Sequence, residues 1–330
     1  MPLLLTETDV RSLLTMPMAL EAVEAAFRRL ADATAQVHPR RRLHLEGFSY
    51  LHYMAAADGT GGYEGLKIYT SSRDGLRFLV PLFRAKTGEL LAFIEADYLG
   101  QMRTGAASGV ATKYLAREDS RTVGIIGTGL QARTQLEAVA AVRRMERILV
   151  FGRDPGRRER FAREMTARLG VPVEAAPTAE AAVREADILI TSTTSSTPVV
   201  EGRWLKPGTH INAIGANFPQ KRELDAAAID RANVIFVDSS EQAKMEAGDL
   251  IQSFEKTPSR WENVKELAHL VAGRAQGRTS REQITLFKSS GIAIEDVVTA
   301  GKVYELALER GVGREVPFWQ DEGARERTAS

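Results

Sequence analysis

The segment TVGIIGTGLQA, Thr122 to Ala132, has the residue spacing with the most chemical meaning in the chain. A β-branched run, Val123, Ile125 and Ile126, meets Gly127-Thr128-Gly129, and the small Ala132 follows three residues later. This reads as a strand, a tight turn and a helix start, the frame in which a G-x-G-x-x-A motif holds a dinucleotide. Gly127 permits the turn, Gly129 lets backbone amides approach a pyrophosphate, and Ala132 keeps the helix close to the strand. The helix N-terminus adds free N–H groups and a partial positive charge. The next strand, Ile148–Phe151, runs into Gly152-Arg153-Asp154, with Arg157 and Arg158 beyond. An acid at that strand's end takes the ribose hydroxyls of NAD, whereas an arginine accepts the extra phosphate of NADP. Arg153 stands in that place, so NADP(H) is favoured; Asp154, one residue on, keeps NAD(H) open.

Composition narrows the alternatives. The formal net charge of +1 on 330 residues gives no electrostatic footprint for nucleic acid, so no nucleic-acid partner is expected. The chain has no cysteine, which rules out disulfides, thiolate chemistry and cysteine-held metals, and suits a reducing cytoplasm. Its five histidines show neither an i, i+4 pair nor zinc-ligand spacing, so no metal is expected. There is no G-x-S-x-G elbow and no glycine-rich loop followed by Lys-Ser/Thr. No stretch approaches the ~20 apolar residues of a membrane span. MPLLLTETDVRSLL reads as a strand and a capped helix, not a signal peptide.

Two textures divide the elements that must position this chemistry. Short strands are expected at Arg41–Leu45, Tyr50–Ala56, Leu66–Ser71, Arg77–Arg84 and Glu89–Glu95, with Lys86-Thr87-Gly88 as a hairpin turn, so this sheet should be antiparallel. A helix follows over Asp97–Ala116, where Gly105 and Gly109 suggest a close backbone contact. From Arg121 the pattern becomes strand–helix alternation, with strands at Val123–Ile126, Ile148–Phe151, Val171–Val173, Ile188–Thr191, His210–Ile214, Val234–Val237 and Gln283–Phe287. Helices are expected at Arg157–Leu169, closed by Gly170, at Ala179–Ala186, and at Ile292–Glu309, ending at Gly311. The fold class is therefore α/β: a doubly wound parallel Rossmann domain with a smaller α+β domain built on an antiparallel sheet. The tail Arg314–Ser330 is polar and expected to be partly disordered at its end.

GLKIYTS, EADYLGQMRTGAASGVATKYLA, VGIIGTGLQARTQLEAV and LFKSSGIAIEDVVTA, in that order and spacing, resemble the ornithine cyclodeaminase/mu-crystallin family over almost the whole chain. The resemblance implies a homodimer. Residues 1–118 with 305–330 would form the substrate-binding and dimerisation domain, and 119–304 the Rossmann domain. It implies carboxylate binding by Arg103, where a guanidinium can grip bidentately, and by Arg40. Three adjacent arginines leave open which of Arg40 and Arg42 does so. Lys67 matches the catalytic amine; inside an apolar strand, desolvation and nearby arginines would lower its pKa into a useful range. Met54, Ser290 and Gly291 are expected at the substrate, and Ser289 near the nicotinamide amide. Cofactor contacts are expected from Thr104, Gly127, Thr128, Gly129, Leu130, Gln131, Gly152, Arg153, Ser192 and Thr193.

Three activities then remain: reduction of a cyclic ketimine or an α-oxo/imino acid, cyclodeamination of ornithine, and ligand binding as in mu-crystallin. Ornithine cyclodeaminases carry an aspartate where this chain has Asn217. A carboxylate there can accept a proton and orient a distal ammonium, whereas a carboxamide can only hydrogen-bond. Asn217 therefore favours imine reduction through Lys67 over proline formation from ornithine.

Overall fold

The computed structural model describes residues 1–72 and 75–318. Strand β1 (Leu3–Leu5) enters helix α1 (Glu7–Leu13) through a capping box, in which Thr6 and Asp9 each accept the other's backbone N–H. Helix α2 (Met16–Ala31) buries Ala19, Val23, Ala26 and Phe27 along one face. Strands β2 (Ala35–Val37), β3 (Arg41–Leu43), β4 (Tyr50–Asp58), β5 (Tyr63–Ser72), β6 (Gly75–Arg84) and β7 (Leu90–Glu95) follow, then helix α3 (Asp97–Leu115). Gly88 takes the left-handed conformation, φ 69°, that closes the β6–β7 hairpin.

The second half runs β8 (Thr122–Ile126), α4 (Leu130–Val142), β9 (Arg147–Phe151), α5 (Pro155–Leu169), β10 (Val173–Ala175), α6 (Ala179–Arg184), β11 (Ile188–Thr191) and β12 (His210–Ala213). It continues through α7 (Ala226–Arg231), β13 (Val234–Val237), α8 (Ser240–Glu246), α9 (Gly248–Phe254), β14 (Val264–Glu266), α10 (Leu267–Val271) and β15 (Thr285–Lys288). Helix α11 (Ala293–Arg310) and a short β16 (Arg314–Glu315) end the described chain. Gly170 and Gly311 close α5 and α11 in the left-handed conformation, as expected.

The described strands form two sheets. The first has the order β16-β1-β7-β6-β5-β4-β2, with β3 also on β4, and is antiparallel apart from the β1–β7 pair. The second, β10-β9-β8-β11-β12-β15-β13-β14, is parallel throughout. Its strand order reverses between β8 and β11, so the crevice at their carboxyl ends is the topological switch point where doubly wound sheets bind ligands.

One expectation needs adjustment. The strand expected at Val171–Val173 runs instead over Val173–Ala175, because Pro172 has no N–H to give the ladder and only its carbonyl is used, by Ile148 N. Helix α11 packs on β4, β5, β6, α2 and α3. The tail pairs with the antiparallel sheet through β16 on β1, and its end, where partial disorder is expected, lies outside the described residues. Gly105 does mark a close approach: a Cβ there would stand 2.5 Å from the Thr134 carbonyl oxygen of α4.

Candidate active site

The β8–α4 turn has the features of an anion cradle. Gly127 adopts φ +123°, essentially closed to other residues, and a Cβ on it would collide with the Ser192 carbonyl at the end of β11. Gly129 stands at the N-cap of α4 with no side-chain cap, leaving the first-turn N–H groups to a ligand. A Cβ at Gly129 would meet open space, so no protein atom there requires a glycine. Buried Ala132 seats the helix on the sheet. These features fit a dinucleotide.

That crevice opens into a cavity of about 510 Å³, of the size expected for a small-molecule site. One wall belongs to the dinucleotide side: Gly129, Leu130, Gln131, Ser192, Thr193 and Thr194. The facing wall carries Lys67 of β5 and Arg103 and Thr104 of α3, and Arg40, Ser289, Ser290, Gly291 and Asn217 also line the cavity. Residues from distant parts of the sequence thus meet at the join of the two sheets.

Lys67 has almost no solvent exposure, and its Nζ donates to Asp296 Oδ1 at 2.6 Å. Burial, reinforced by the Arg103 charge, pulls its pKa down to about 8. The same Asp296 oxygen accepts Arg103 Nε at 3.1 Å, while Arg103 Nη1 reaches Glu295 Oε2 at 2.7 Å. Arg103 Nη2 makes no hydrogen bond among the described residues, and the side chain lines the cavity. Glu295 is pushed up to about 8 by burial, with Arg103 working against the rise and Asp238 adding to it. Both acids stand in the first turn of α11, where the helix dipole favours negative charge.

Arg40 and Arg42 are both engaged. Arg40 pairs with Glu246 of α8 through Nη1, and its Nη2 donates to the carbonyls of Ser290 and Gly291 at 2.9 and 3.2 Å. Arg42 reaches the other Glu246 oxygen at 2.7 Å and the Asn217 carbonyl at 3.2 Å, and its guanidinium lies 4.4 Å from the centre of the Phe218 ring. Of the two, only Arg40 lines the cavity. The Ser289–Gly291 turn is held by Asp238 Oδ2, which accepts Ser289 Oγ at 3.0 Å and the N–H groups of Ser290 and Gly291 at 2.7 and 2.6 Å. Ser289's hydroxyl proton is therefore used within the protein, which leaves the oxygen as an acceptor. Gly291, φ +74°, lies so close to Arg103 that a Cβ would strike the guanidinium.

Not every expected residue reaches the cavity. Met54 sits opposite Lys67 in the β4–β5 ladder, fully buried, with Sδ 4.0 Å from Arg40 Nη2; it packs behind the lining instead of forming it. Gly127, Thr128, Gly152 and Arg153 are outside the lining. Gly152 packs on Thr128, where a Cβ would stand 3.0 Å from Thr128 Cγ2. Arg153 is exposed at the end of β9, and Asp154 caps α5 by accepting Arg157 N at 2.9 Å.

The acids that position the cations, Glu246, Glu295 and Asp296, had not been singled out in the sequence, although GIAIEDVV shows two charges in an apolar run. Glu223 was also missed. Buried, with a pKa raised by that burial and by Asp249, it accepts Thr191 Oγ1 at 2.8 Å, Thr193 N at 2.5 Å and Gly215 N at 2.8 Å. It thereby ties together the ends of β11 and β12 that face the cavity. His52, Tyr69 and Phe78 also line the cavity as stacked rings 4.2 and 4.9 Å apart, and burial beside Arg42 and Arg40 takes the His52 pKa down to about 4.

A dinucleotide crevice facing a buried lysine–arginine pair across one cavity defines a nicotinamide-dependent oxidoreductase. The ornithine cyclodeaminase/mu-crystallin family matches residues 1–311. A Delta(1)-pyrroline-2-carboxylate reductase of Bacillus cereus is 42% identical over 241 residues, 73% of this chain and 74% of that protein. The Delta(1)-pyrroline-2-carboxylate reductase of Thermococcus litoralis, solved with NADH and L-proline, superposes with a TM-score of 0.91 at 40% identity, covering 95% of this chain and 100% of that one. An archaeal alanine dehydrogenase dimer with bound NAD gives 0.91 at 39% identity over 96% and 99%. The chain belongs to the ornithine cyclodeaminase/mu-crystallin family.

Proposed function

We propose that this enzyme reduces a small imino acid to the L-amino acid. The substrate is a cyclic ketimine such as pyrroline-2-carboxylate or piperideine-2-carboxylate, or the imine of an α-oxo acid. The observation that carries this reading is the pairing of Lys67 and Arg103 on one wall, opposite the dinucleotide side of the same cavity. Arg103 grips the carboxylate through Nη2, Arg40 braces the Ser290–Gly291 turn, and Lys67 Nζ gives its proton to the imine nitrogen. When bound, the nicotinamide supplies the hydride. Asn217, a carboxamide, offers no base for a distal ammonium, which argues against proline formation from ornithine. The test is NAD(P)H oxidation with pyrroline-2-carboxylate, piperideine-2-carboxylate, and oxo acids plus ammonia, followed by chiral analysis of the product. Ammonia release from ornithine without added reductant would overturn the reading.

For the cofactor the reading is NADP(H), supported by exposed Arg153 and by the commitment of the Asp154 carboxylate to capping α5. NAD(H) is the second reading, because the Thermococcus reductase and the archaeal dehydrogenase hold NADH and NAD. Arg153→Ala should weaken NADPH by about 1–3 kcal/mol and leave NADH nearly unchanged. Equal losses in fluorescence titrations with the two cofactors would remove the NADP argument. A cytoplasmic homodimer is the matching assembly, supported by the dimeric dehydrogenase, the absence of cysteine, and exposed Leu43, Leu45, Phe48, Leu51 and Tyr53 around β3 and β4. Light scattering on the eluting protein should return twice the chain mass.

A further inference from the structure

Two cations lie side by side in the wall of this cavity, cut off from water, and one oxygen atom holds both. Lys67 Nζ comes from β5 and Arg103 Nε from α3, and Asp296 Oδ1 accepts them at 2.6 and 3.1 Å. The second oxygen, Oδ2, is buried without a hydrogen-bond partner, so the charge of this carboxylate is directed at those two groups. Without it an ammonium and a guanidinium would be forced together in a medium of low dielectric. We propose that Asp296 is the positioning residue of the reaction: from the first turn of α11 it sets the angle of Arg103 toward the substrate carboxylate and keeps the Lys67 amine charged and aimed at the imine nitrogen.

The proposal rests on the reading of Lys67 as proton donor. The charged and titratable groups around that amine come from several elements: Arg103 from α3, Arg40 ahead of β3, Tyr69 farther along β5, and Glu295 beside Asp296, itself bound to Arg103. Burial, Arg103 and Arg40 all push the amine toward its neutral form, and Asp296 alone among its principal influences opposes them. Asp296→Asn leaves an oxygen able to accept both N–H donors and removes only the charge, which separates electrostatics from shape.

The experiment is the pH profile of kcat/KM for reduction of pyrroline-2-carboxylate by wild type, Asp296→Asn and Asp296→Glu, alongside Lys67→Ala with and without added methylamine. The alkaline fall-off of Asp296→Asn should move toward acid by about 1–2 pH units, since an opposite charge at this range shifts a titration by that order. Cofactor affinity should stay at the wild-type value, because the dinucleotide turn is built from other elements. A fall-off that stays in place, while methylamine still rescues Lys67→Ala, overturns the role of Asp296 and leaves Lys67 as the donor. Failure of methylamine to rescue removes Lys67 as the donor and the proposal with it. If Asp296→Asn does not fold, Asp296→Glu decides: its longer arm cannot serve Lys67 and Arg103 together, so KM should rise several-fold, and an unchanged KM overturns the proposal.

Discussion

At the scale of the residue, binding falls to Arg103 and proton transfer to Lys67 in the proposed reading, and the two should fail differently. Arg103→Ala removes a grip made equally in the ground and transition states and should chiefly raise KM. Lys67→Ala removes a proton donor and should lower kcat by about 10²–10⁴-fold. Burial and the Arg103 charge pull the Lys67 pKa down to about 8, and a donor must be charged, so reduction should be fastest below that pH and decline as pH rises through it. The reverse oxidation needs the free amine and should gain over the same interval. A Lys67→Ala enzyme with wild-type kcat across pH would remove the role. The two fingerprint glycines separate as well. Gly127→Ala strains a backbone at φ +123° against Ser192 and should cost about 1–3 kcal/mol in urea unfolding. Gly129→Ala meets no protein atom and should keep that stability while weakening the cofactor. A stable Gly127→Ala protein would contradict the turn assignment. These glycines could be read in the sequence because their meaning is local. The partners of the cations could not: Asp296 lies 229 residues from Lys67, and Glu246 206 residues from Arg40.

At the scale of the element, strands and caps were the most legible parts. The hairpin at Lys86-Thr87-Gly88, the alternation after Arg121 and the stops at Gly170 and Gly311 are written in turn chemistry and periodicity. Less legible were β14, only three residues long, and α7 to α10, helices of one or two turns with weak patterning. A strand pattern gives the face of Met54, beside Lys67, but not what covers it; here that cover is Arg40. The small residues of α3 were readable as contact-makers, and their role is testable. Gly105→Ala drives a Cβ against the Thr134 carbonyl, forcing α3 away from α4. It should destabilise the protein by about 1–3 kcal/mol and weaken the cofactor, because neighbouring Thr104 lines the cavity. Unaltered denaturant midpoint and cofactor affinity would show that this helix contact does not support the site.

At the scale of the whole molecule, neither sheet contains the site. The parallel sheet supplies the switch-point crevice, the antiparallel sheet supplies Lys67, and α11, returning from the far end of the chain, brings Glu295 and Asp296 to the join. Four cations, Arg40, Arg42, Lys67 and Arg103, lie among four acids, Glu246, Glu295, Asp296 and Asp238, at this join. A chain that buries so many charges together holds them in one arrangement only if both layers are assembled. The most direct measurement is the stoichiometry of one reaction: purified enzyme, NADPH or NADH, and pyrroline-2-carboxylate, with cofactor consumption followed by absorbance and the product identified by chiral chromatography. One L-proline should form per reduced cofactor consumed, and the reaction should be lost in Lys67→Ala. Cofactor left unoxidised with every cyclic imine and every oxo acid plus ammonia, or proline formed from ornithine with no reductant added, would contradict it.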